Sequence, residues 1–425
     1  MDTHGLAVIA GGVILFALVS KRLEGTILTA PMVFAVFGLL IGDAGFGLAH
    51  LDFGPGFIRG LAEVTLILVL FSDATRIDLR RLRRDHNLPL RMLLIAMPLA
   101  IVGGTLVGLA LPLGLSFWEA ALLAAILAPT DAALGQTVVS SPLVPTRIRQ
   151  ALNVESGLND GIALPLILLF ASLASAAQGG GGARNWVLFG VLQVTLGPLA
   201  GVAIGGLGGW LIDRAAARGW MQETYEGLAI LGVAFLAFAG AEIVGGNGFI
   251  AAFVGGLVFG NLVRHRCAFV FEFAEAEGQL LVLLTFLIFG AAIVPQMAGN
   301  LGWAAVVYAG LSLTVVRMLP IALSLVGAGV RPPTIAFLGW FGPRGLASIL
   351  FALFVLEDAE IAAAERILAV TIVTVAFSIL AHGVTAAPAA RWFGALARRM
   401  GESEENKPVS EMPTRSGTVK ASETV

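Results

Sequence analysis

Long apolar runs dominate this chain, and most of its arginine and lysine lies in the short breaks between them. A membrane-crossing helix needs about 20 mostly apolar residues. Thirteen stretches answer to that requirement, near residues 5–20, 26–42, 59–76, 89–111, 117–139, 148–173, 186–212, 225–244, 247–263, 278–295, 301–327, 334–356 and 364–385. Only 13% of the 425 residues are charged and 57% are hydrophobic, against about 25% charged in a soluble domain, so a water-soluble globule is excluded. The 53 glycines follow no Gly-X-Y period, which excludes collagen and suits close approach of helices in lipid. The chain reads as an all-α polytopic membrane protein.

Charge placement tests the number of spans, because basic residues gather on the cytoplasmic side. With thirteen spans and the N-terminus outside, 21 of the 26 Lys and Arg fall inside. Arg59, Arg184 and Arg366 fall outside, and Arg317 and Arg344 stay within spans. Asp2 and His4 precede the first run and Lys21 and Arg22 follow it, the reverse of a signal peptide. The expectation is an integral protein of the plasma (inner) membrane, N-terminus outside and C-terminus cytoplasmic. A formal net charge of −2 offers no basic surplus for nucleic acid. The single cysteine, Cys267, cannot close an internal disulfide, and no Cys/His cluster points to a resident metal or cofactor. Residues 178–182 read as a flexible outer loop. Residues 401–425, rich in Glu, Ser, Thr and Pro, read as a disordered cytoplasmic tail after a membrane domain of residues 1–400.

Thirteen divides as six, one and six, and an odd linking helix makes the two six-helix units inverted repeats. The fifth span carries Ala128-Pro129-Thr130-Asp131 at its middle, and the twelfth carries Gly342-Pro343-Arg344-Gly345. Proline removes a backbone donor and clashes with the preceding turn. Helices five and twelve are therefore expected to be interrupted and to cross at mid-membrane. Such paired interruptions mark the binding site of many transporters.

Ionisable residues at membrane depth are costly and point to function. Asp131 is either a cation ligand, beside carbonyls freed by the break such as that of Thr130, or the cap of the second half-helix; the two roles are compatible. In the sixth span, about 100° per residue puts Glu155, Ser156, Asn159 and Asp160 on one face. Two carboxylates and two oxygen-bearing side chains suit a hard monovalent cation, and no Lys or Arg lies between Arg149 and Arg184. Arg344 stays protonated and needs a partner. Glu155 is the first candidate, with the negative end of a half-helix as the alternative. Asp73 either lines a cytoplasmic funnel or snorkels to the interface with Arg76. Glu242 is expected at the outer interface, Arg317 at an interface or lipid headgroup, and Glu272, Glu275 and Glu277 on a solvated face.

Four stretches, Ala128–Asp131, Glu155–Asp160, Gly246–Phe253 and Phe341–Ala347, follow one another from the fifth to the twelfth span. Together they resemble the sodium/proton exchanger family, on the NhaP-like branch of the monovalent cation:proton antiporters. The resemblance implies a core of residues 59–173 and 247–356, scaffold and dimerisation helices at 5–42, 186–244 and 364–385, and a homodimer. It implies that Asp160 binds cation and proton, with Asp131, Ser156 and Thr130 as further ligands, while Glu155 and Arg344 hold Asn159. It also implies that the Asn159-Asp160 pair, in place of two aspartates, belongs with one-for-one electroneutral exchange. Many relatives carry Glu where Ser72 stands, with Asp73 one place later, which leaves the funnel role of Asp73 open.

The expected activity is alternating-access exchange of an alkali cation, Na⁺ first and K⁺ as the alternative, for H⁺. Na⁺, Li⁺ or K⁺ and H⁺ are cargo, and no cofactor is expected. A channel needs a pore with rings or filter carbonyls, and no filter-like repeat occurs. An intramembrane serine hydrolase needs Ser and His at depth; only His382 lies within a span, without a Gly-x-Ser-Gly motif. No enzymatic activity is expected.

Overall fold

The computed structural model describes residues 3–23, 25–49, 55–177, 183–263, 279–295, 302–358 and 361–409, and these form helices and loops with no strand among the described residues. The helices, in chain order, are α1 (Thr3–Leu23), α2 (Ala30–Ile41), α3 (Pro55–Arg76), α4 (Leu79–Arg84), α5 (Asn87–Ala110), α6 (Phe117–Ile126) and α7 (Ala132–Val139). They continue as α8 (Thr146–Ala177), α9 (Ala183–Ala217), α10 (Glu223–Ile243), α11 (Gly248–Val263), α12 (Gln279–Ile293), α13 (Trp303–Leu313) and α14 (Val315–Ser324). The last are α15 (Pro332–Trp340), α16 (Leu346–Asp358) and α17 (Ala364–Arg399). Where it is described, each apolar stretch of the sequence is mainly helical. Among the described residues, seven helices are individually long and apolar enough to cross a membrane, and the other apolar helices are shorter. Cys267, Glu272, Glu275, Glu277 and the 178–182 segment lie outside the described residues.

Helix starts follow local chemistry. Ser116 opens α6 with a reciprocal capping box to Glu119, the arrangement that satisfies two orphan N–H groups at once. Asp78 caps the arginine-rich α4 by accepting from the N–H groups of Arg80 and Arg81. Helix α11 packs against α3 and α9, and glycine permits the approach. A methyl group on Gly256 or Gly260 would overlap the carbonyl of Phe71 or Thr75, and one on Gly205 would overlap that of Gly255. Lipid offers no hydrophobic drive between helices, so this close packing supplies association instead.

Two predicted helices are interrupted as expected. Residues 127–131 separate α6 from α7, and residues 341–345 separate α15 from α16. A third interruption, at Thr314 between α13 and α14, has no proline at the break; there Thr314 turns its hydroxyl onto the Gly310 carbonyl. Helix α17, which holds the 364–385 stretch, packs against α2, α6, α7, α13, α15 and α16.

The expectation of a disordered tail fails at its start. Residues 401–409 are described and fold back over three helix ends; 410–425 lie outside the described residues. Gly401 turns the chain with φ +61. Asn406 then donates to the Ala397 and Gly401 carbonyls at 2.9 and 2.7 Å. Glu404 pairs with Arg147 at the start of α8. The fully buried Glu405 accepts from the Arg331 N–H at 2.7 Å and the Thr334 hydroxyl at 2.9 Å, where α15 begins. Composition argued for disorder, but two acids with fixed donors outweigh it.

Burial pushes the Glu405 carboxyl up, yet the Arg331 N–H and the Thr334 hydroxyl outweigh that and leave it below the ordinary carboxylate range. A lowered folded value means the contribution is present above the unfolded carboxylate pKa and is lost as pH falls through the folded one. Glu405→Ala strands the buried Thr334 hydroxyl and is expected to cost about 1–3 kcal/mol, read as a lower melting temperature in detergent at neutral pH. The difference from wild type should shrink on acidification below the carboxylate range.

Candidate functional site

The two interrupted helices stop against each other, and Asp131 joins them. Its N–H donates to the Pro343 carbonyl at 2.8 Å. Its Oδ1 accepts from the N–H groups of Ala133 and Leu134 at 2.6 and 3.2 Å, capping α7. Its Oδ2 accepts from the Leu346 N–H at 2.7 Å, where α16 begins. One carboxylate therefore satisfies orphan donors of two half-helices and faces the positive end of both dipoles. A methyl group on Gly345 would overlap Asp131 Oδ2; glycine is the residue that lets the two breaks meet.

Asp160, buried on α8, faces the same place. It lines a cavity of about 10 Å³ with Asp131, Ala132, Leu66, Val69, Val282 and residues of α16. That volume is close to the minimum for one water molecule. The neighbouring oxygens are organised by Thr130. Its hydroxyl meets the Ser156 hydroxyl at 3.0 Å and accepts from the Asn159 amide at 2.6 Å. The Asn159 amide also reaches the Thr130 carbonyl at 3.4 Å. Asn159 Oδ1 is buried with no hydrogen-bond partner among the described residues. Phe253, last residue of the Gly246–Phe253 motif, packs where a methyl on Gly161 would sit, directly after Asp160.

Two expected contacts are overturned. Arg344 does not pair with Glu155; its guanidinium donates to the carbonyls of Ala128 and Pro129 at 2.7 and 3.1 Å. Those carbonyls lie just past the end of α6, so the alternative holds, with the arginine serving the negative end of a half-helix. Glu155 instead forms a two-pronged pair with Arg317, one bond at 2.8 Å, with both side chains almost fully buried. Asn159 is accordingly held by Thr130 and not by Glu155 or Arg344. Arg317 was expected at an interface, yet it is 4% exposed. The missed signal was numerical: two arginines lay within spans, and Arg344 could not use Glu155 if Arg317 needed it. The guanidinium fork matches a carboxylate better than two carbonyls do, which favours this division. Asp73 is buried on α3, one turn past Val69, and is not among the residues lining the small cavity.

A second cavity, about 440 Å³, lies between α3, α8, α9, α10, α11 and α16. It holds Arg59, Glu63, Glu242 and Asn247 among apolar walls. Glu242 is no lone interfacial acid, since it accepts from the Gly248 N–H at 2.7 Å at the head of α11. Leu66 lines both cavities. Among the described residues there is no group of three or more His, Cys, Asp or Glu that could hold a metal.

The family model for the transmembrane sodium/hydrogen exchanger matches residues 8–392. Among curated relatives, a K(+)/H(+) antiporter NhaP from Alkalimonas amylolytica is 26% identical over 97% of this chain and 70% of its own length. A K(+)/H(+) antiporter NhaP2 from Shewanella oneidensis is 25% identical over 89% of this chain and 64% of its own length, so this chain spans about two thirds of such relatives. A Na(+)/H(+) antiporter from Saccharomyces cerevisiae is 26% identical over 81% of this chain and 37% of its own. Among solved structures, the sodium proton antiporter MjNhaP1 from Methanocaldococcus jannaschii superposes with TM-score 0.74 at 18% identity, covering 89% of this chain and 98% of that one.

The buried pair offers a test that needs no transport assay. Arg317→Met leaves Glu155 without its partner and Glu155→Gln leaves Arg317 without its own; each is expected to cost about 3–5 kcal/mol. The double variant should recover most of that loss, since it removes both charges. Thermal unfolding of the four purified proteins, wild type included, measures the coupling; additive losses would contradict the pairing.

Proposed function

The chain belongs to the sodium/hydrogen exchanger family of monovalent cation:proton antiporters, multi-pass membrane transporters and not enzymes, and from that premise we propose how it works. The site exchanges one alkali cation for one proton at Asp160. The observation that carries this reading is the small cavity shared by Asp160 and Asp131 at the crossing of the two interrupted helices.

An ionised carboxylate held away from water is costly, and either a proton or a cation relieves the cost. Space for one small particle means that the two compete. Asp131 is held by three N–H donors, so it shapes the site and lends an oxygen; Asp160, the acid of the Glu155–Asp160 motif on the same cavity, is proposed as the group whose charge changes. Thr130, Ser156 and Asn159 supply further oxygens, and Thr130 couples the first break to α8. If the core moves between its two faces only when Asp160 is neutralised, an empty site cannot cross an apolar barrier cheaply, and exchange stays coupled. With asparagine at 159, one acid changes state per cycle, which supports electroneutral stoichiometry.

Na⁺ is the first reading for the cation because the family model and the yeast relative carry that ion in their names. K⁺ is the second, since the bacterial relatives carry that ion in their names. The protein is further proposed to act as a homodimer of inverted repeats in the plasma membrane, N-terminus outside and C-terminus cytoplasmic. Asp73 sits outside the site and has at most a role in the approach to it.

Proteoliposomes with an internal acid load and a pH-sensitive dye test the reading. External Na⁺, K⁺ or Li⁺, but not choline, should drive proton efflux, and a clamped membrane voltage should not change its rate. Asp160→Asn should abolish the response in folded protein. Gly345→Ala, which pushes Asp131 off its cap, should slow exchange by about a hundredfold. Full exchange by Asp160→Asn would overturn the assignment.

A further inference from the structure

The break in the second interrupted helix has another set of supports, on α17. Ser378 and His382 are fully buried there, one turn apart. The Arg344 N–H donates to the Ser378 hydroxyl oxygen at 2.7 Å. The Ser378 hydroxyl lies 3.1 Å from His382 Nδ1, and His382 Nε2 lies 2.9 Å from the Trp340 carbonyl. The Trp340 ring leans on His382 with centroids 5.0 Å apart, and its indole N–H donates to Thr385 at 2.9 Å. Trp340 ends α15 and Arg344 stands just before α16, so this side-chain chain spans the break from one lip to the other.

Proton accounting gives the chain a direction. Nε2 faces only a carbonyl and must carry a proton to bond it. Nδ1 faces the Ser378 hydroxyl as well as the Ser378 carbonyl, the latter at 3.0 Å. A neutral ring therefore places its one proton on Nε2 and accepts at Nδ1 from the hydroxyl. That leaves the hydroxyl oxygen to accept from Arg344. Neighbouring hydroxyls on this helix behave otherwise: Thr371, Thr374 and Thr385 each turn back to the carbonyl four residues earlier. Ser378 instead serves a backbone N–H in the break between α15 and α16.

We infer that Ser378 and His382 are positioning residues for the exchange site. Ser378 holds the Arg344 N–H, which a broken helix in lipid leaves without a helical partner, and His382 adds a second donor to the Trp340 carbonyl, which also accepts from the Gly342 N–H at 2.8 Å. They thereby fix the loop whose Pro343 carbonyl receives Asp131 and whose Arg344 side chain reaches Ala128 and Pro129. The inference rests on the reading of Asp160 and Asp131 as the exchange site. Neither side chain lines the small cavity, so their effect passes through the backbone of residues 341–345.

The test compares Ser378→Ala and His382→Leu with the conservative Ser378→Thr and His382→Gln, each in proteoliposomes beside wild type and Asp160→Asn. Alanine and leucine should raise the cation concentration for half-maximal exchange by about tenfold, with a smaller change in the saturated rate. Threonine and glutamine should stay near wild type. Amide hydrogen exchange of peptides covering 341–346 should quicken in the first two variants and not in the second two. A merely structural role would lower the yield of folded protein without moving half-saturation. Unchanged half-saturation in Ser378→Ala and His382→Leu overturns the proposal. If wild-type vesicles move no alkali cation, the exchange reading fails by itself, and amide exchange decides the positioning claim: unchanged protection at 341–346 overturns it.

Discussion

A backbone that leaves its helix inside a membrane must find partners for its N–H and carbonyl groups without water, and the centre of this protein is organised by that demand. Two helices break at mid-length, and each break is served by the other. Asp131 gives its N–H to one loop and its carboxylate to the heads of α7 and α16. Arg344 covers the carbonyls of Ala128 and Pro129 in return. Helix α17 closes the remaining gap through Ser378 and His382. The charges of Asp131 and Arg344 thus sit where half-helix dipoles call for them, which makes both affordable away from water.

Charge neutralisation explains how the buried groups divide their work. Glu155 and Arg317 satisfy each other through a forked contact, tying α8 to α14 near the Thr314 break. Arg344 and Asp131 are offset by backbone groups. Asp160 lines the small cavity together with Asp131, and in the proposed cycle it is the group whose protonation a transported cation contests. The hydroxyl and amide cluster of Thr130, Ser156 and Asn159 then links the break to α8 without adding charge.

Leu66 on α3 lines both the cavity of about 440 Å³ and the cavity at the two acids, and glycines of α11 hold that helix in close backbone contact. The acidic segment after α17 ties the starts of α8 and α15 together, so the helix with Asp160 and the helix with the second break are joined at their ends as well as at their middles.

Much of this was legible in the sequence because lipid allows so few solutions. Apolar length fixed the helices, Pro129 and Pro343 placed the interruptions, and 100° per residue put Glu155, Ser156, Asn159 and Asp160 on one face. Partner choice was not legible. Arg317 and Arg344 both needed a buried partner within reach of Glu155, and nothing in a linear chain says which arginine lies beside it; the kink at Thr314 and the crossing of the breaks decided that. Asp131 was readable as a cap for its own helix, but capping α16 as well required the two breaks to meet in space. Ser378 and His382 drew no notice as a site because their partners stand 34 and 42 residues away. The 401–409 segment read as disordered because composition averages over residues, whereas Glu404 and Glu405 find their donors on helices that only folding brings together. Sequence determined where the backbone must break and which charges must be buried; tertiary structure decided which group satisfies which, because hydrogen bonds and ion pairs depend on distances that no spacing along the chain contains.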